Sequence, residues 1–362
     1  MSRVFILGAG FSKQAGMPLA TELTSLLLDG VGLRDNEDLQ AWLASFKKRL
    51  AAVEGGEATS GFVPNVEQLF DFAKFDEELW RMRQQLAPVG RKSGATPWSQ
   101  AEDISAWLSY MEEDLAQVIG DAQQRASLEP IERFTSHLSS EDTVLTFNYD
   151  TLVECALSAQ GKAWSHGLDD RGDGGVTVLK MHGSIDWIVL ERRSEKELQN
   201  FVRLFSKKDN NVDEHGQKPS GEEEYDWELW RAKDIKTCSN VLSMHKGGLS
   251  NFPYFLGLAG LGRYKPLHKL PGTAPTWLAA FEALKEAREI YVIGFSMSPY
   301  DTMARFHFTS VIAEREKPLT KAMVIDPNAS SFASTFSSVF RRQPIPIVSS
   351  AEDIEDWSTL LG

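Results

Sequence analysis

Short apolar runs alternate along the chain with longer stretches in which apolar residues recur three and four positions apart. The short runs are Val4–Leu7, Thr143–Phe147, Val176–Met181, Ile290–Ile293 and Ala322–Ile325. Runs of this length, apolar on both faces, are typical of buried parallel strands, whereas the longer periodicity is typical of amphipathic helices. The alternation predicts an α/β fold with a doubly wound, mainly parallel, Rossmann-like sheet and a large helical insertion or cap.

The positions of these runs divide the chain. With 362 residues the sequence exceeds the usual size of one domain. We predict one discontinuous core formed by residues 1–30 and 140–362, in which a helix over Pro18–Leu28 follows the first strand, and a helical insertion or cap at residues 31–139. Residues 191–248 are charged and rich in turn formers, which indicates a mobile surface insertion.

Each predicted strand is followed directly by a polar or glycine-rich cluster. The clusters are Gly8-Ala9-Gly10-Phe11-Ser12, Asn148-Tyr149-Asp150, His182-Gly183-Ser184, Gly294-Phe295-Ser296 and Asp326-Pro327-Asn328. Ligands of open parallel sheets bind outside the carboxyl ends of the strands, so we expect these clusters to converge on one crevice.

The first cluster is a glycine turn that departs from the dinucleotide fingerprint of dehydrogenases. Lys13 stands where the third glycine of GxGxxG belongs, and the sequence after Asp29 becomes helical instead of forming a second strand. These departures disfavour hydride transfer. Glycines still allow backbone N–H groups to approach a pyrophosphate at a helix N-terminus. A simple tight turn between strand and helix is the alternative.

Together the clusters resemble a known family. "GAGFSKQAGMP" is similar to the opening motif of sirtuins, "TFNYDTL" to their second motif, and "LKMHGS" to the segment that carries their catalytic histidine. "IGFSMSP" and "DPN" resemble the two later motifs that hold NAD, and all five occur in family order. Sirtuin deacylases hold a zinc ribbon with four cysteines, whereas this chain has two, Cys155 and Cys238. The helical insertion, the missing zinc ligands and the Asn-Tyr-Asp form resemble the sirtuin-like NAD hydrolases of bacterial antiphage defence systems.

This resemblance implies NAD+ as substrate, no metal, and cleavage to nicotinamide and ADP-ribose once the enzyme is activated, so that NAD+ is depleted in abortive infection. The catalytic residues would be His182, Asn148 and Asp150. The residues that bind NAD+ would be Gly8, Ala9, Gly10, Phe11, Ser12, Gly294, Ser296, Asp326 and Asn328.

Each of these side chains also has a structural interpretation. His182 fits a general base or a ribose ligand, but also a structural histidine. Asn148 fits a group that orients water, or a strand-end cap, and Asp150 fits a ribose ligand or a cap of the next helix. A plain turn is the alternative for Asp326-Pro327-Asn328. For Asp301 we expect a helix cap and not a ligand.

Composition excludes several classes of protein and leaves the partners open. A formal net charge of -13 argues against a direct nucleic-acid site, and the absence of a CxxC pair argues against a disulfide framework. The sequence has no apolar stretch that is long and uncharged enough to span a membrane, so we expect a cytoplasmic protein. By family analogy we expect a homo-oligomer and an activating partner, such as an ATPase, a DNA translocase or a phage-sensing subunit. The alternative functions are an NAD-dependent protein deacylase and a catalytically silent module that senses NAD or ADP-ribose.

Overall fold

The structure is a computed structural model that describes residues 2–29, 41–42, 44–46, 48–49, 65–86, 114–168, 174–192, 212–214, 226–232, 254–258, 273–297, 301–340, 344–354 and 356–361. Its strands are β1 (Arg3–Leu7), β2 (Thr143–Thr146), β3 (Trp164–Ser165), β4 (Val176–Lys180), β5 (Gly183–Arg192), β6 (Val212–Glu214), β7 (Asp226–Ala232), β8 (Tyr254–Leu258), β9 (Glu289–Ile293), β10 (Lys321–Ile325) and β11 (Ile345–Ile347). Its helices include α1 (Ala9–Lys13), α2 (Ala20–Asp29), α3 (Val66–Leu86), α4 (Glu129–Thr135), α5 (Leu152–Ala159), α6 (Thr273–Glu286), α7 (Thr302–Glu314), α8 (Ala329–Phe340) and α9 (Ser358–Leu361).

A seven-stranded parallel sheet with the order β11-β10-β9-β1-β2-β4-β3 forms the centre of the first of two compact units. The five predicted strands are confirmed to within one residue at each end. The short strands β3 and β11 were not predicted, because two or three residues are too few to show a periodicity. The predicted helix over Pro18–Leu28 corresponds to α2, whereas the short helix α1, which begins at Ala9 within the predicted glycine turn, was not predicted.

Alternate side chains of β1 point to opposite faces of this sheet, and both faces are covered by helices. Val4 and Ile6 belong to a buried cluster that includes residues of α6, α7 and α8. On the other face the Phe5 ring packs edge-on against Phe134 of α4, with ring centroids 5.4 Å apart. Full burial of such side chains contributes about 1.5–3 kcal/mol each. The fold is therefore the predicted doubly wound α/β class.

The chain also forms a second, antiparallel sheet with the order β6-β7-β5-β8, and its first strand, β5, comes directly after β4. Gly257 of β8 lies against Trp187 of β5, where a Cβ added to the glycine would be 2.6 Å from the Trp187 Cβ. This sheet was not predicted. The predicted insertion at residues 191–248 contains β6 and β7, and the rest of it after residue 192 lies outside the described residues. Its mobility stays a prediction.

The two compact units are discontinuous in sequence. The first contains both sheets and comprises Met1–Pro18, Ile119–Ala259 and Pro266–Gly362; the second comprises Leu19–Val118 and Gly260–Lys265. Within the second unit the buried carboxylate of Asp76 accepts from Trp42 Nε1 at 2.7 Å and from the Arg49 guanidinium. The predicted boundaries at residues 30 and 140 stay a prediction. In the part of the chain that the structure describes, no helix combines the length and apolarity that crossing a membrane requires.

A histidine of α7 lies in an aromatic pocket of the first unit. The His307 ring is 4.9 Å from that of Trp277 and 5.9 Å from that of Phe281, measured between centroids. Burial lowers the pKa of His307 to about 4, because the charged imidazolium loses hydration there.

We expect the burial of His307 to make the unfolding free energy decrease as the pH is lowered. His307 binds a proton only near pH 4 in the folded protein, whereas in the unfolded chain it binds one below pH ~6.5. The unfolding free energy is therefore lost as the pH drops from ~6.5 toward 4. Between pH 7 and pH 5 this group should cost about 2 kcal/mol of unfolding free energy. Urea titrations at the two pH values measure the loss.

His307→Leu should remove that part of the pH dependence, whereas His137→Gln, a change outside this aromatic pocket, should leave it in place. An equal loss in wild type and His307→Leu would show that other groups cause it.

Candidate functional site

The glycine turn lies where the path of the chain reverses across the sheet. Strand β1 has β2 on one side and β9 on the other, and such a switch point opens a crevice at the carboxyl ends of the strands. There Gly8 N donates to Ile293 O at 3.1 Å, and Gly10 N donates to Gly294 O at 3.0 Å. The turn after β1 is thus hydrogen-bonded to the end of β9.

This contact explains why glycines occupy the turn. A Cβ on Gly8 would lie 2.5 Å from Gly294 O, and one on Gly10 would lie 2.8 Å from Gly294 Cα. Gly294 itself has a φ of +58°. The missing side chains therefore allow two backbone segments to approach each other, whether or not a ligand is bound.

Three of the turn's N–H donors are used inside the protein. Besides the bonds of Gly8 and Gly10, Phe11 N donates to Gly8 O at 2.9 Å. A phosphate group would have to compete with these carbonyls for the donors. Binding of pyrophosphate by Gly8, Ala9, Gly10 and Phe11 stays a prediction.

A chain of side-chain hydrogen bonds connects the glycine turn to the loop after β2. Asn148 Nδ2 donates to Gly8 O at 2.9 Å and to Ser12 Oγ at 2.8 Å, and Ser12 Oγ donates to Asp150 Oδ2 at 2.8 Å. All three side chains are buried. The structure thus brings together three predicted site residues. Both contacts of the Asn148 side chain are donated by its amide nitrogen, and its amide oxygen is the hydrogen-bond acceptor of this side chain.

The Asp150 carboxyl group has an unusual electrostatic environment. Burial raises its pKa, and this effect exceeds the opposing influence of Lys180 and of the hydrogen bond from Ser12. Its other oxygen, Oδ1, accepts from Leu152 N at 3.2 Å in the first turn of α5. Asp150 thus precedes Thr151, the N-cap residue of α5, and its two oxygens contact Leu152 N and Ser12 Oγ.

His182 follows β4 and pairs with an acid that the sequence analysis placed outside the site. His182 Nε2 lies 3.0 Å from Asp301 Oδ2, with the two side chains 6% and 3% exposed. Asp301 Oδ1 accepts from Ala304 N at 3.1 Å, so the predicted N-cap of α7 is confirmed. One carboxylate thus caps a helix and contacts the histidine. Its only sequence signal was its place shortly after the strand-end cluster of β9.

Aromatic rings join the ends of three strands beside this pair. Phe147 stacks on Phe295 with centroids 4.3 Å apart and meets the His182 ring edge-on at 5.0 Å. The Tyr149 ring lies 6.0 Å from His182. Sequence analysis assigned Phe147 only to a strand and so missed this apolar wall.

The remaining predicted site residues lie at the ends of β9 and β10. Gly294 N donates to Ile325 O at 2.9 Å, which joins the two strand ends. Asp326 Oδ1 accepts from Asn328 N at 2.8 Å, a turn geometry, and burial raises the pKa of this carboxyl group. Ser296 is exposed. Binding roles for Ser296, Asp326 and Asn328 stay predictions.

A metal centre would need several ligating side chains close together. Across the described segments, no group of three or more His, Cys, Asp or Glu side chains is arranged to hold a metal ion.

Known proteins resemble this chain in structure and not in sequence. No protein-family model matches the chain, and no curated protein matches it in sequence. Among solved structures, a mutant Sir2 homologue bound to ADP-ribose is 14% identical with a TM-score of 0.38, covering 99% of this chain and 90% of that one. A Sir2 homologue complex with NAD is 14% identical with a TM-score of 0.37, covering 100% and 91%. Sir2 with the inhibitor EX-527, 2′-O-acetyl-ADP-ribose and deacetylated p53 peptide is 12% identical with a TM-score of 0.39, covering 97% and 90%. Similarity at this level does not place the chain in a family.

Proposed function

We propose that this chain is a sirtuin-like NAD+ glycohydrolase that cleaves NAD+ to nicotinamide and ADP-ribose in the cytoplasm. The observation that carries the proposal is the His182–Asp301 pair, which lies at the same edge of the sheet as the Asn148–Ser12–Asp150 hydrogen-bond chain. The order of the five sirtuin-like motifs supports NAD+ as the substrate.

The reaction breaks the bond between the nicotinamide nitrogen and ribose C1′. Nicotinamide leaves with the bonding electron pair, an oxocarbenium-like centre develops on the ribose, and water adds to C1′ and loses a proton. In this proposal the His182 imidazole accepts this proton, and Asp301, whose Oδ2 lies 3.0 Å from Nε2, stabilises the charge that the ring gains. In this proposal the amide oxygen of Asn148 orients the water or a ribose hydroxyl.

The surroundings of His182 suit this reaction. Phe147 and Phe295 are buried beside it and supply an apolar wall that excludes bulk water. Exclusion of water strengthens the electrostatic interactions that act on a developing positive charge.

We further propose that the enzyme rests in an inactive state and acts in antiphage defence. Asn148, Asp150 and His182 are only 9%, 6% and 4% exposed, and the glycine-turn donors are held by protein carbonyls. NAD+ would reach these groups after a local opening. Assembly into a homo-oligomer and contact with an activating partner, such as an ATPase, a DNA translocase or a phage-sensing subunit, would cause this opening. The resulting loss of NAD+ would end the infection.

The proposal predicts that NAD+ falls and that nicotinamide and ADP-ribose appear together. The measurement is chromatography of NAD+ mixed with purified protein, and of extracts from bacteria that express the chain and are challenged with phage. Asn148→Ala should lower the yield at least tenfold, because it removes the side chain that joins the loop after β2 to Gly8 and Ser12 of the glycine turn. Asn65→Ala, which removes an asparagine that accepts from Glu67 N at 2.8 Å, is the matched control.

Three results would contradict the proposal. NAD+ that binds in calorimetry but stays intact in every mixture would favour the sensing module. Consumption of NAD+ only together with an acyl-lysine peptide would favour the deacylase. No binding by the purified protein, together with no loss of NAD+ in extracts of phage-challenged cells, would exclude all three functions.

A further inference from the structure

Beneath the loop that carries Asn148 and Asp150 lies a fully buried charged cluster. We infer that Lys180, Glu154 and His166 form a positioning network that holds this loop in register with the end of β4, two residues before His182. The catalytic consequence of this inference rests on the proposed NAD+ hydrolysis, whereas its structural part does not.

The three side chains contact each other and the loop backbone. Lys180 Nζ donates to Asp150 O and lies 3.4 Å from Glu154 Oε1. Glu154 Oε1 also lies 3.3 Å from His166 Nε2. Lys180, Glu154 and His166 are 0%, 1% and 2% exposed. The ammonium group is therefore shared between a carboxylate and the carbonyl of Asp150.

The geometry connects the two halves of the candidate site. Lys180 is the last residue of β4, two positions before His182, and Glu154 lies one helical turn after Asp150 on α5. Ile185 N donates to Tyr149 O at 3.0 Å, a second tie between the same segments. A shift of Asp150 relative to His182 would have to break both contacts.

Stability alone does not account for such a cluster. Removing the two ions of a buried pair from water is costly, and apolar replacements of similar volume are often neutral or stabilising. Burial raises the pKa of Glu154, but Lys180 and His166 outweigh it and hold that pKa at about 2. The carboxylate stays charged, and the charge it retains keeps Lys180 in contact with the Asp150 carbonyl.

His166 extends the network toward the second sheet. Its ring packs edge-on against Trp187 of β5 with centroids 5.4 Å apart. Trp187 is fully buried. The histidine thus links the cluster to β5 of the second sheet.

The test is the double variant Lys180→Met/Glu154→Gln, which removes both charges of the buried pair together. The matched control is Arg3→Met/Asp142→Asn, which removes the 2.6 Å ion pair at the other end of the same sheet. The first readout needs no substrate: hydrogen exchange of the amides of residues 149–152 and 185. We expect exchange there to be at least tenfold faster in the Lys180 double variant and unchanged in the control.

The second readout is NAD+ cleavage. We expect kcat/KM to fall at least tenfold in the Lys180 double variant and less than twofold in the control. Unchanged exchange at residues 149–152 overturns the inference, whatever the activity. Faster exchange with unchanged cleavage by an active wild type overturns its catalytic part. If the wild type does not cleave NAD+ even in extracts of phage-challenged cells, the proposed function fails, and the exchange rates still decide whether the network positions the loop.

Discussion

Replacing His182 with alanine is expected to slow NAD+ cleavage by a factor of about 10² to 10⁴, the usual contribution of a positioned general base. The imidazole lies 3.0 Å from Asp301 and faces the edge of the Phe147 ring. Alanine removes the proton acceptor and keeps the backbone, so binding of NAD+ should change less than the rate. Single-turnover measurement of nicotinamide release, with calorimetry for binding, separates the two effects.

Asp301→Asn tests the same unit from the other side. Asparagine is a good helix cap, so it should preserve the contact with Ala304 N and leave the stability of α7 nearly unchanged. It removes the negative charge that stabilises the protonated imidazole, and we expect at least a tenfold slower reaction. His307→Leu is the control for loss of a histidine. A His182→Ala protein that keeps a third of the wild-type rate would show that His182 is structural.

Replacing Gly294 with alanine is expected to lower the unfolding free energy by about 4 kcal/mol or more, a range reached only by specific structural damage. The new Cβ would lie 2.2 Å from Phe11 N and 2.4 Å from Gly10 C, both backbone atoms that cannot turn away. The end of β9 would have to separate from the glycine turn. The hydrogen bonds from Gly8 N and Gly10 N would then be lost.

Gly161→Ala is the matched control for this change. Gly161 has a φ of +65°, close to the +58° of Gly294, but nothing lies within 4 Å of a Cβ added there. It should cost only about 1–2 kcal/mol, the strain of a left-handed backbone. Urea unfolding of both variants measures the difference. Equal losses would mean that the contact between the turn and β9 contributes little.

The core strands could be predicted because each is a short, mostly apolar run that is followed by glycine or a polar residue. Phe5 and Ile6 show the reason: the sheet is covered on both faces, so neighbouring residues are both apolar. The antiparallel sheet could not be predicted in this way. Its pairing of Ile188 with Trp230 and Leu256 depends on segments far apart in the chain.

The site was predicted where its signal is local and missed where it depends on packing. The turn Gly8–Ser12 and the segment Asn148–Asp150 stand directly after strands, and the structure hydrogen-bonds them to each other. His182 pairs with Asp301 because the end of β4 and the start of α7 lie close together in the fold. The spacing of the two residues in the sequence does not indicate this. Lys180 lies within an apolar run, where its charge gave no indication of a partner on α5.

The place of β1 in the sheet has a consequence for how the chain is made. This strand leaves the ribosome before its neighbours, which are β2 at residue 143 and β9 at residue 289. At a synthesis rate of about 5–20 residues per second, its second neighbour emerges roughly 15–60 s later. During that time a strand that is apolar from Val4 to Leu7 and has a free edge is exposed to solvent and to other nascent chains. Chaperone binding to this segment of the nascent protein, until β9 has been synthesised, is the expected result.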